Sequence, residues 1–140
     1  MLPVIVRSAG SLRNDIEAGP HRLVADEPVS AGGTELGPTP YDFLAAALGT
    51  CTSMTLHVVA KRENIPLEGV EVTVENDRMY AKDCADCLST TGYLHRFSVA
   101  IKLTGNLTPE QRERLLIVAE RCPVNKTLRS EIRIDERLVD

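Results

Sequence analysis

The sequence predicts an α+β fold, because two kinds of hydrophobic periodicity occupy separate stretches of the chain. Large apolar residues recur at every second position in residues 70–74 and 97–103, which is typical of antiparallel strands with one buried face. Two other segments, beginning near Thr39 and Thr108, repeat their apolar residues at helical spacing. Runs of strands separated by single helices favour α+β over a parallel α/β sheet.

The N-terminal third is predicted to contain short strands joined by turns. Strands are expected at residues 4–6, 12–17 and 21–25, with a turn at Gly19-Pro20 between the last two. Residues 26–40 carry three prolines and three glycines, which predicts a loop. Loops of this length are uncommon in compact domains, so we expect this one to line a site or an interface.

The clearest predicted helix runs from Thr39 to about Lys61. Thr39 can cap its first turn, Pro40 suits the first helical position, and Asp42 completes a capping-box pattern with Thr39. One face is predicted to be buried, and it carries Leu44, Ala47, Leu48, Cys51, Thr55 and Val58.

A second helix is predicted from Thr108, again with a capping residue followed by proline. Its apolar stripe consists of Leu115, Val118, Ala119 and Cys122. Pro123 ends this helix and can begin another helical turn. Residues 131–138 alternate again, which predicts a last strand.

Length and composition indicate a single domain spanning residues 1–140 and exclude several classes of protein. The net charge is −4, aromatic residues make up 4% and tryptophan is absent, which disfavours a nucleic-acid partner. No uninterrupted apolar run approaches the ~18 residues of a membrane span, so no membrane is expected. The N-terminus lacks a basic leader, which favours a cytoplasmic location.

Two of the four cysteines, Cys51 and Cys122, lie on the apolar stripes of the two predicted helices. If both stripes pack on one sheet, the two thiols can meet, as a two-cysteine redox centre requires. In such a centre one thiolate attacks an oxidant and the other converts the resulting sulfenic acid to a disulfide. The alternative is that both are small buried apolar residues. Helix N–H groups after Pro123 would favour a thiolate at Cys122, so the residues alone nominate Cys122 as the more acidic thiol.

The other two cysteines, Cys84 and Cys87, have the spacing of a metal-binding or dithiol pair. Structural zinc needs four ligands, so the pair would require help from His95 or from a second protomer. Three interpretations remain open: exposed oxidisable thiols, a metal site, and an electron relay to Cys51 and Cys122.

Two segments resemble the two cysteine motifs of the OsmC/Ohr superfamily. Residues 37–55, GPTPYDFLAAALGTCTSMT, resemble the first motif, and residues 121–128, RCPVNKTL, resemble the second. The run Asp26-Glu27-Pro28 with Gly32-Gly33, together with the Cys84/Cys87 pair, is similar to one OsmC-like subgroup. The resemblance covers roughly residues 20–140.

This resemblance implies an OsmC-like fold in which antiparallel sheets wrap around two long helices in an intertwined homodimer. It implies a thiol peroxidase that reduces organic hydroperoxides without haem or flavin. The family pattern makes Cys51 the attacking thiol and Cys122 the resolving one, which reverses the argument from helix N–H groups. A dithiol reductant, a lipoyl or thioredoxin-type protein, would then reduce the disulfide.

The chain departs from the hydroperoxide-resistance branch at its activating residues. That branch has a glutamate ten residues before the first cysteine, paired with an arginine, whereas this position is Tyr41 here. Asp42 lies ~180° from Cys51 around the helix and is interpreted as a cap. Candidates for supporting residues are Arg22, Arg13, His21 and Tyr41. Alternatives from other classes are a non-enzymatic redox or metal-binding module using Cys84 and Cys87, and a carrier of hydrophobic small molecules.

Overall fold

The structure is a computed structural model that describes all 140 residues. Its helices and strands are β1 (Val4–Ser8), β2 (Asn14–Ala18), β3 (His21–Ala25), α1 (Pro40–Arg62), β4 (Gly69–Tyr80), β5 (Tyr93–Thr104), α2 (Pro109–Ala119) and α3 (Pro123–Arg129). This order confirms the predicted α+β class. The chain divides into two compact units, Met1–Leu44 and Ala45–Asp140. A single domain over the whole chain stays a prediction.

The N-terminal unit contains a three-stranded antiparallel sheet in the order β1-β2-β3. Val6 pairs with Ile16 and Ile16 with Leu23, so the three predicted strands are confirmed, with β2 beginning two residues later than expected. Gly19 turns the chain between β2 and β3 with a φ of 59°, a left-handed conformation that favours glycine.

The predicted loop after β3 is confirmed, and it is organised around the buried carboxylate of Asp26, which is 2% exposed. Asp26 Oδ1 accepts hydrogen bonds from the N–H groups of Glu27 at 2.8 Å and Thr34 at 3.3 Å. Asp26 Oδ2 accepts from the Thr34 hydroxyl at 2.5 Å and from the Leu36 N–H at 3.3 Å. The Thr34 hydroxyl, with the backbone N–H groups, lowers the pKa of Asp26 to about 2. A Cβ at Gly33 would collide with the carbonyl oxygen of Glu27, so the loop also requires glycine there.

We expect Asp26→Asn to destabilise the N-terminal unit at neutral pH, because an amide cannot replace a charged acceptor of four hydrogen bonds. The folded-state pKa of about 2 lies below the ordinary value of 3.8. The carboxylate therefore stabilises the fold above the ordinary pKa, and this contribution is lost as the pH falls toward the folded-state value. Urea unfolding should show a difference between wild type and D26N at neutral pH that shrinks across that acidic interval.

Asp15→Asn is the matched control, since the Asp15 side chain is 68% exposed on β2 of the same unit. This control should change the free energy of unfolding little, both at neutral pH and in the acidic interval. Equal stability of D26N and wild type at neutral pH would show that the Asp26 hydrogen bonds do not stabilise the loop.

Helix α1 begins at its predicted capping box and ends at Arg62, one residue beyond the predicted end. The Thr39 hydroxyl accepts from the Asp42 N–H at 3.2 Å, and the Asp42 carboxylate accepts from the Thr39 N–H at 2.9 Å. This is the reciprocal capping box expected from the sequence. At the other end Asn64 has a φ of 55°, and the Ile65 N–H donates to the Ala60 carbonyl at 2.8 Å. A left-handed residue after the last turn is a common way to end a helix.

The predicted buried face of α1 is wrong in part. The buried residues are Leu48, Gly49, Thr52, Leu56, Val59 and Ala60. Leu44 and Val58 are instead 43% and 64% exposed. The hairpin of β4 and β5 packs against Gly49, where an added Cβ would lie 3.3 Å from Val74. Because α1 is apolar or small on nearly every side, its periodicity does not select the face that the sheet covers.

The two alternating runs are strands, as predicted, and they pair with each other antiparallel as β4 and β5. Val72 pairs with Ile101 and Val70 with Leu103. The apolar sides of these strands pack against a core cluster from α1 and α2 that consists of Leu56, Val59, Ala60, Leu115, Val118 and Ala119.

The C-terminal region confirms one prediction and corrects another. Thr108 and Gln111 form a capping box at the start of α2, and the predicted stripe from Leu115 to Cys122 is buried. The strand predicted at residues 131–138 is wrong, because residues 131–140 have no regular secondary structure. A strand needs a neighbour to satisfy its N–H and C=O groups, and neither sheet of this chain pairs with that segment.

Helix α1 is long and apolar enough to cross a membrane, judged by length and composition alone. Its most apolar window has a mean hydropathy of 1.5 and is 28% buried. Core helices of soluble proteins pass the same test, so this is weak evidence for a span. The absence of a membrane partner stays a prediction.

Candidate active site

The thiols of Cys51 and Cys122 lie within hydrogen-bonding reach of each other. Cys51 is half-buried on α1, whereas Cys122 is completely buried after α2. Both are free thiols. The sequence prediction that these two distant cysteines meet is confirmed, and the reason is that α1 and α2 pack into one core.

The helices before and after Cys122 both fix its position. It ends the buried stripe of α2, and its extended backbone makes it the N-terminal cap of α3. The Asn125 N–H donates to Cys122 Sγ at 3.2 Å. The helical turn predicted to begin at Pro123 is therefore present, with the thiol serving as its capping acceptor.

Burial raises the pKa of the Cys51 thiol above its ordinary value of 9.0, and the neighbouring Cys122 raises it further. The Val124 N–H and the Thr55 hydroxyl act in the opposite direction by hydrogen bonding to the sulfur. Thr55 follows Cys51 by four residues, so helical spacing could have identified it as a neighbour. The contribution of Val124 depends on how α3 packs and has no signal in the sequence.

A largely apolar cavity of about 660 Å³ opens beside Cys51. Its walls include Met54, Thr55, Val58, Val59 and Val124. Arg121 is the only charged residue that lines it. Arg121 belongs to the second cysteine motif, but no role was predicted for it. Its position next to Cys122 was a usable signal.

The supporting residues proposed from the sequence lie in the N-terminal unit: Arg13, His21, Arg22 and Tyr41. Arg13 pairs with Asp15 at 3.2 Å, and Arg22 pairs with Glu17 at 3.7 Å. All four residues are wholly or partly exposed. Their role toward Cys51 stays a prediction.

Cys84 and Cys87 form a disulfide in the loop between β4 and β5, with their Cα atoms 5.5 Å apart. An oxygen of Asp86 lies 3.4 Å from Cys84 Sγ. The donor atoms of Cys84, Asp86 and Cys87 all lie within 4.8 Å of one another, so these residues could hold a metal ion. A disulfide offers no thiolate ligand, so metal binding would first require reduction.

The family model of OsmC-like proteins matches residues 32–137 of this chain. The chain belongs to the OsmC-like protein family. This confirms the resemblance noted in the sequence. No curated protein sequence matches the chain.

Solved structures with the same fold include three from bacteria. The organic hydroperoxide resistance protein OsmC of Legionella pneumophila has a TM-score of 0.65 and 24% identity, covering 92% of this chain and 90% of that one. The organic hydroperoxide resistance protein OhrB of Bacillus subtilis has a TM-score of 0.62 and 23% identity, covering 91% and 89%. An OsmC-like protein of Mycoplasma pneumoniae has a TM-score of 0.70 and 16% identity, covering 90% and 85%. At these identities the likeness shows the fold, and the mixed α+β architecture of this OsmC-like chain agrees with it.

Proposed function

We propose that this OsmC-like protein is a cysteine-based peroxidase that reduces organic hydroperoxides to alcohols. The observation that supports this most directly is the contact between the Cys51 and Cys122 thiols. The Cys51 thiolate attacks the terminal oxygen of the hydroperoxide, the O–O bond breaks, and the alcohol leaves. Cys122 then attacks the sulfenic acid, water leaves, and a Cys51–Cys122 disulfide remains.

The different exposure of the two thiols supports Cys51 as the attacking residue. Cys51 lines the apolar cavity, so a bound hydroperoxide can reach its sulfur. Cys122 is completely buried and is suited to react only with a neighbour. A dithiol protein of the lipoyl or thioredoxin type would regenerate both thiols, which is consistent with a cytoplasmic location.

Because burial raises the pKa of Cys51, the reaction should speed up with increasing pH as the thiolate fraction grows. Arg121 is the cation that this cavity offers for stabilising the thiolate. The cavity is otherwise apolar, so it suits the organic part of a hydroperoxide.

We expect bulky organic hydroperoxides to react faster than hydrogen peroxide. Burial of each methylene against the apolar walls contributes ~0.8 kcal/mol, so one or two such groups give several-fold to about tenfold preference. Stopped-flow measurements on reduced protein with cumene hydroperoxide and with hydrogen peroxide would measure both second-order rate constants. Equal rate constants would contradict an apolar binding cavity at the reacting thiol.

The same experiment separates the peroxidase from its alternatives. A carrier would bind a hydrophobic molecule in the cavity beside Cys51 without consuming peroxide. A redox or metal-binding module based on Cys84 and Cys87 would keep its redox activity or its metal binding when Cys51 is replaced.

We also propose that the protein is a homodimer, because α1 exposes large apolar side chains. Met54 is 67% exposed and Val58 is 64% exposed, and both line the open cavity beside Cys51. Contiguous exposed apolar surface of this kind marks an interface or a binding site.

Sedimentation velocity at micromolar concentration should show a dimer for the wild type and partial dissociation for Val58→Lys. Leu88→Lys is the control, since Leu88 is fully exposed in the loop after β4. A folded wild-type monomer would contradict the proposal.

A further inference from the structure

Cys84 and Cys87 line a second cavity, of about 590 Å³. The same cavity is lined by residues of α3 and the end of α2, namely Asn125, Leu128, Arg129 and Ala119. The loop that carries the disulfide is tied to its hairpin, because the Ala81 N–H donates to the Gly92 carbonyl at 2.8 Å. The loop therefore holds Cys84 and Cys87 in the lining of the cavity that α3 also lines.

Helix α3 is the element that covers Cys122 on this side. The Asn125 N–H donates to Cys122 Sγ, and Asn125 also lines the second cavity. The helix has only seven residues, none of them buried, and the segment that follows it has no regular structure. Elements with so few buried contacts open at low free-energy cost. A shift of the first turn of α3 would expose the sulfur of Cys122 to the cavity that Cys84 and Cys87 face.

The charges around this cavity are mixed. Glu120 lines it with Arg96 and Arg129, and Arg96 is paired with Asp77 at 2.6 Å. Arg129 is the cation to which a nearby thiolate would respond. In the reduced loop, the Asp86 oxygen near Cys84 Sγ is placed to accept the Cys84 S–H. This leaves Cys87 as the better candidate for the thiolate that attacks.

The oxidation states of the two pairs differ in the structure. Cys84 and Cys87 are bonded to each other, whereas Cys51 and Cys122 are free thiols.

We propose that Cys84 and Cys87 form a second redox pair that reduces the Cys51–Cys122 disulfide within the chain, an inference that rests on the proposed function. The Cys87 thiolate attacks Cys122 Sγ, a Cys87–Cys122 bond forms, and Cys51 leaves as a thiolate and takes up a proton. The Cys84 thiol then loses its proton and attacks Cys87, and Cys122 leaves as a thiolate that is protonated. One dithiol is oxidised and one disulfide is reduced, so electrons and protons balance. A reduced chain then consumes two hydroperoxides before it needs an external dithiol.

The stoichiometry of peroxide consumption tests this relay. Fully reduced wild type, treated with excess cumene hydroperoxide and no reductant, should consume two equivalents per chain. Cys84→Ser/Cys87→Ser should consume one equivalent, and Cys51→Ser none. Alkylation and mass spectrometry after one equivalent should find the Cys84–Cys87 disulfide with Cys51 and Cys122 free.

Three outcomes would overturn the relay. Wild type could stop at one equivalent with Cys84 and Cys87 still reduced, or Cys51→Ser could form the Cys84–Cys87 disulfide at the wild-type rate by direct oxidation. The third outcome does not involve peroxide. Titration of both pairs in glutathione buffers should give the Cys84–Cys87 pair the more negative midpoint potential. The reverse order would exclude the transfer. If neither wild type nor Cys84→Ser/Cys87→Ser consumes peroxide, the proposed peroxidase fails, and the potentials still decide whether the relay is possible.

Discussion

Replacing Cys51 by serine is expected to abolish hydroperoxide turnover, whereas replacing Cys122 by serine should leave one reaction per chain. Serine at position 51 removes the only thiol that lines the apolar cavity. With Cys122→Ser the Cys51 thiolate still attacks the peroxide, because the first oxidation needs one thiolate only. The sulfenic acid then lacks its neighbour, and it should be trapped by dimedone and detected by mass spectrometry.

The background for this experiment should be Cys84→Ser/Cys87→Ser, so that no other thiol can resolve the sulfenic acid. That background by itself should keep the first oxidation at the wild-type rate, which makes it the matched control. Turnover that survives Cys51→Ser, together with loss of the first oxidation in Cys122→Ser, would reverse the two roles. The choice matters because an argument from helix N–H groups alone favours Cys122.

Leu115→Ala is expected to destabilise the C-terminal unit by about 2–5 kcal/mol. Leu115 is completely buried in the cluster that joins α1 to α2. Its truncation removes apolar contacts and leaves a cavity between the helices that carry the two cysteines. Since whole domains are stable by only ~5–15 kcal/mol, this change alone should lower the denaturation midpoint markedly. Chemical unfolding followed by circular dichroism measures the difference.

Leu116→Ala provides the comparison, because Leu116 is the next residue of α2 and is 61% exposed. Both variants make the same chemical change in the same helix, so helix propensity cancels. The exposed position should lose less than about 1 kcal/mol. Similar losses at both positions would mean that the cluster around Leu115 is not the main stabilising core of this unit.

The two cavities near the cysteines differ in the polarity of their lining residues. The cavity beside Cys51 is apolar except for Arg121, as a site for an organic hydroperoxide should be. The cavity lined by Cys84 and Cys87 is more polar and carries His95, Arg96, Glu120 and Arg129. In the proposed cycle, oxidation of Cys51 and re-reduction by Cys84 and Cys87 would therefore involve different cavities.

The sequence predicts well those features that depend on local chemistry. Thr39 with Asp42 and Thr108 with Gln111 place the starts of α1 and α2, because capping hydrogen bonds join residues three apart. The alternation in β4 and β5 likewise predicts which side of each strand faces the core, because successive side chains of a strand point to opposite faces.

Prediction from the sequence is weaker where a long-range partner decides the outcome. Residues 131–138 alternate as a strand does, yet they form none because no strand of this chain pairs with them. Leu44 and Val58 match an apolar face of α1, yet they stay exposed because the β4–β5 hairpin packs on Gly49 and Leu56 instead.

The α+β class, the helix caps and the resemblance of the two cysteine motifs to the family all follow from local patterns in the sequence. Two features depend on packing between distant segments: the hydrogen bond from Val124 to Cys51, and the cavity that Cys84 and Cys87 share with α3. The reason is that periodicity fixes which side of an element is apolar, whereas packing decides what covers it. Contacts between residues far apart in the chain depend on that second choice, and no local pattern encodes it.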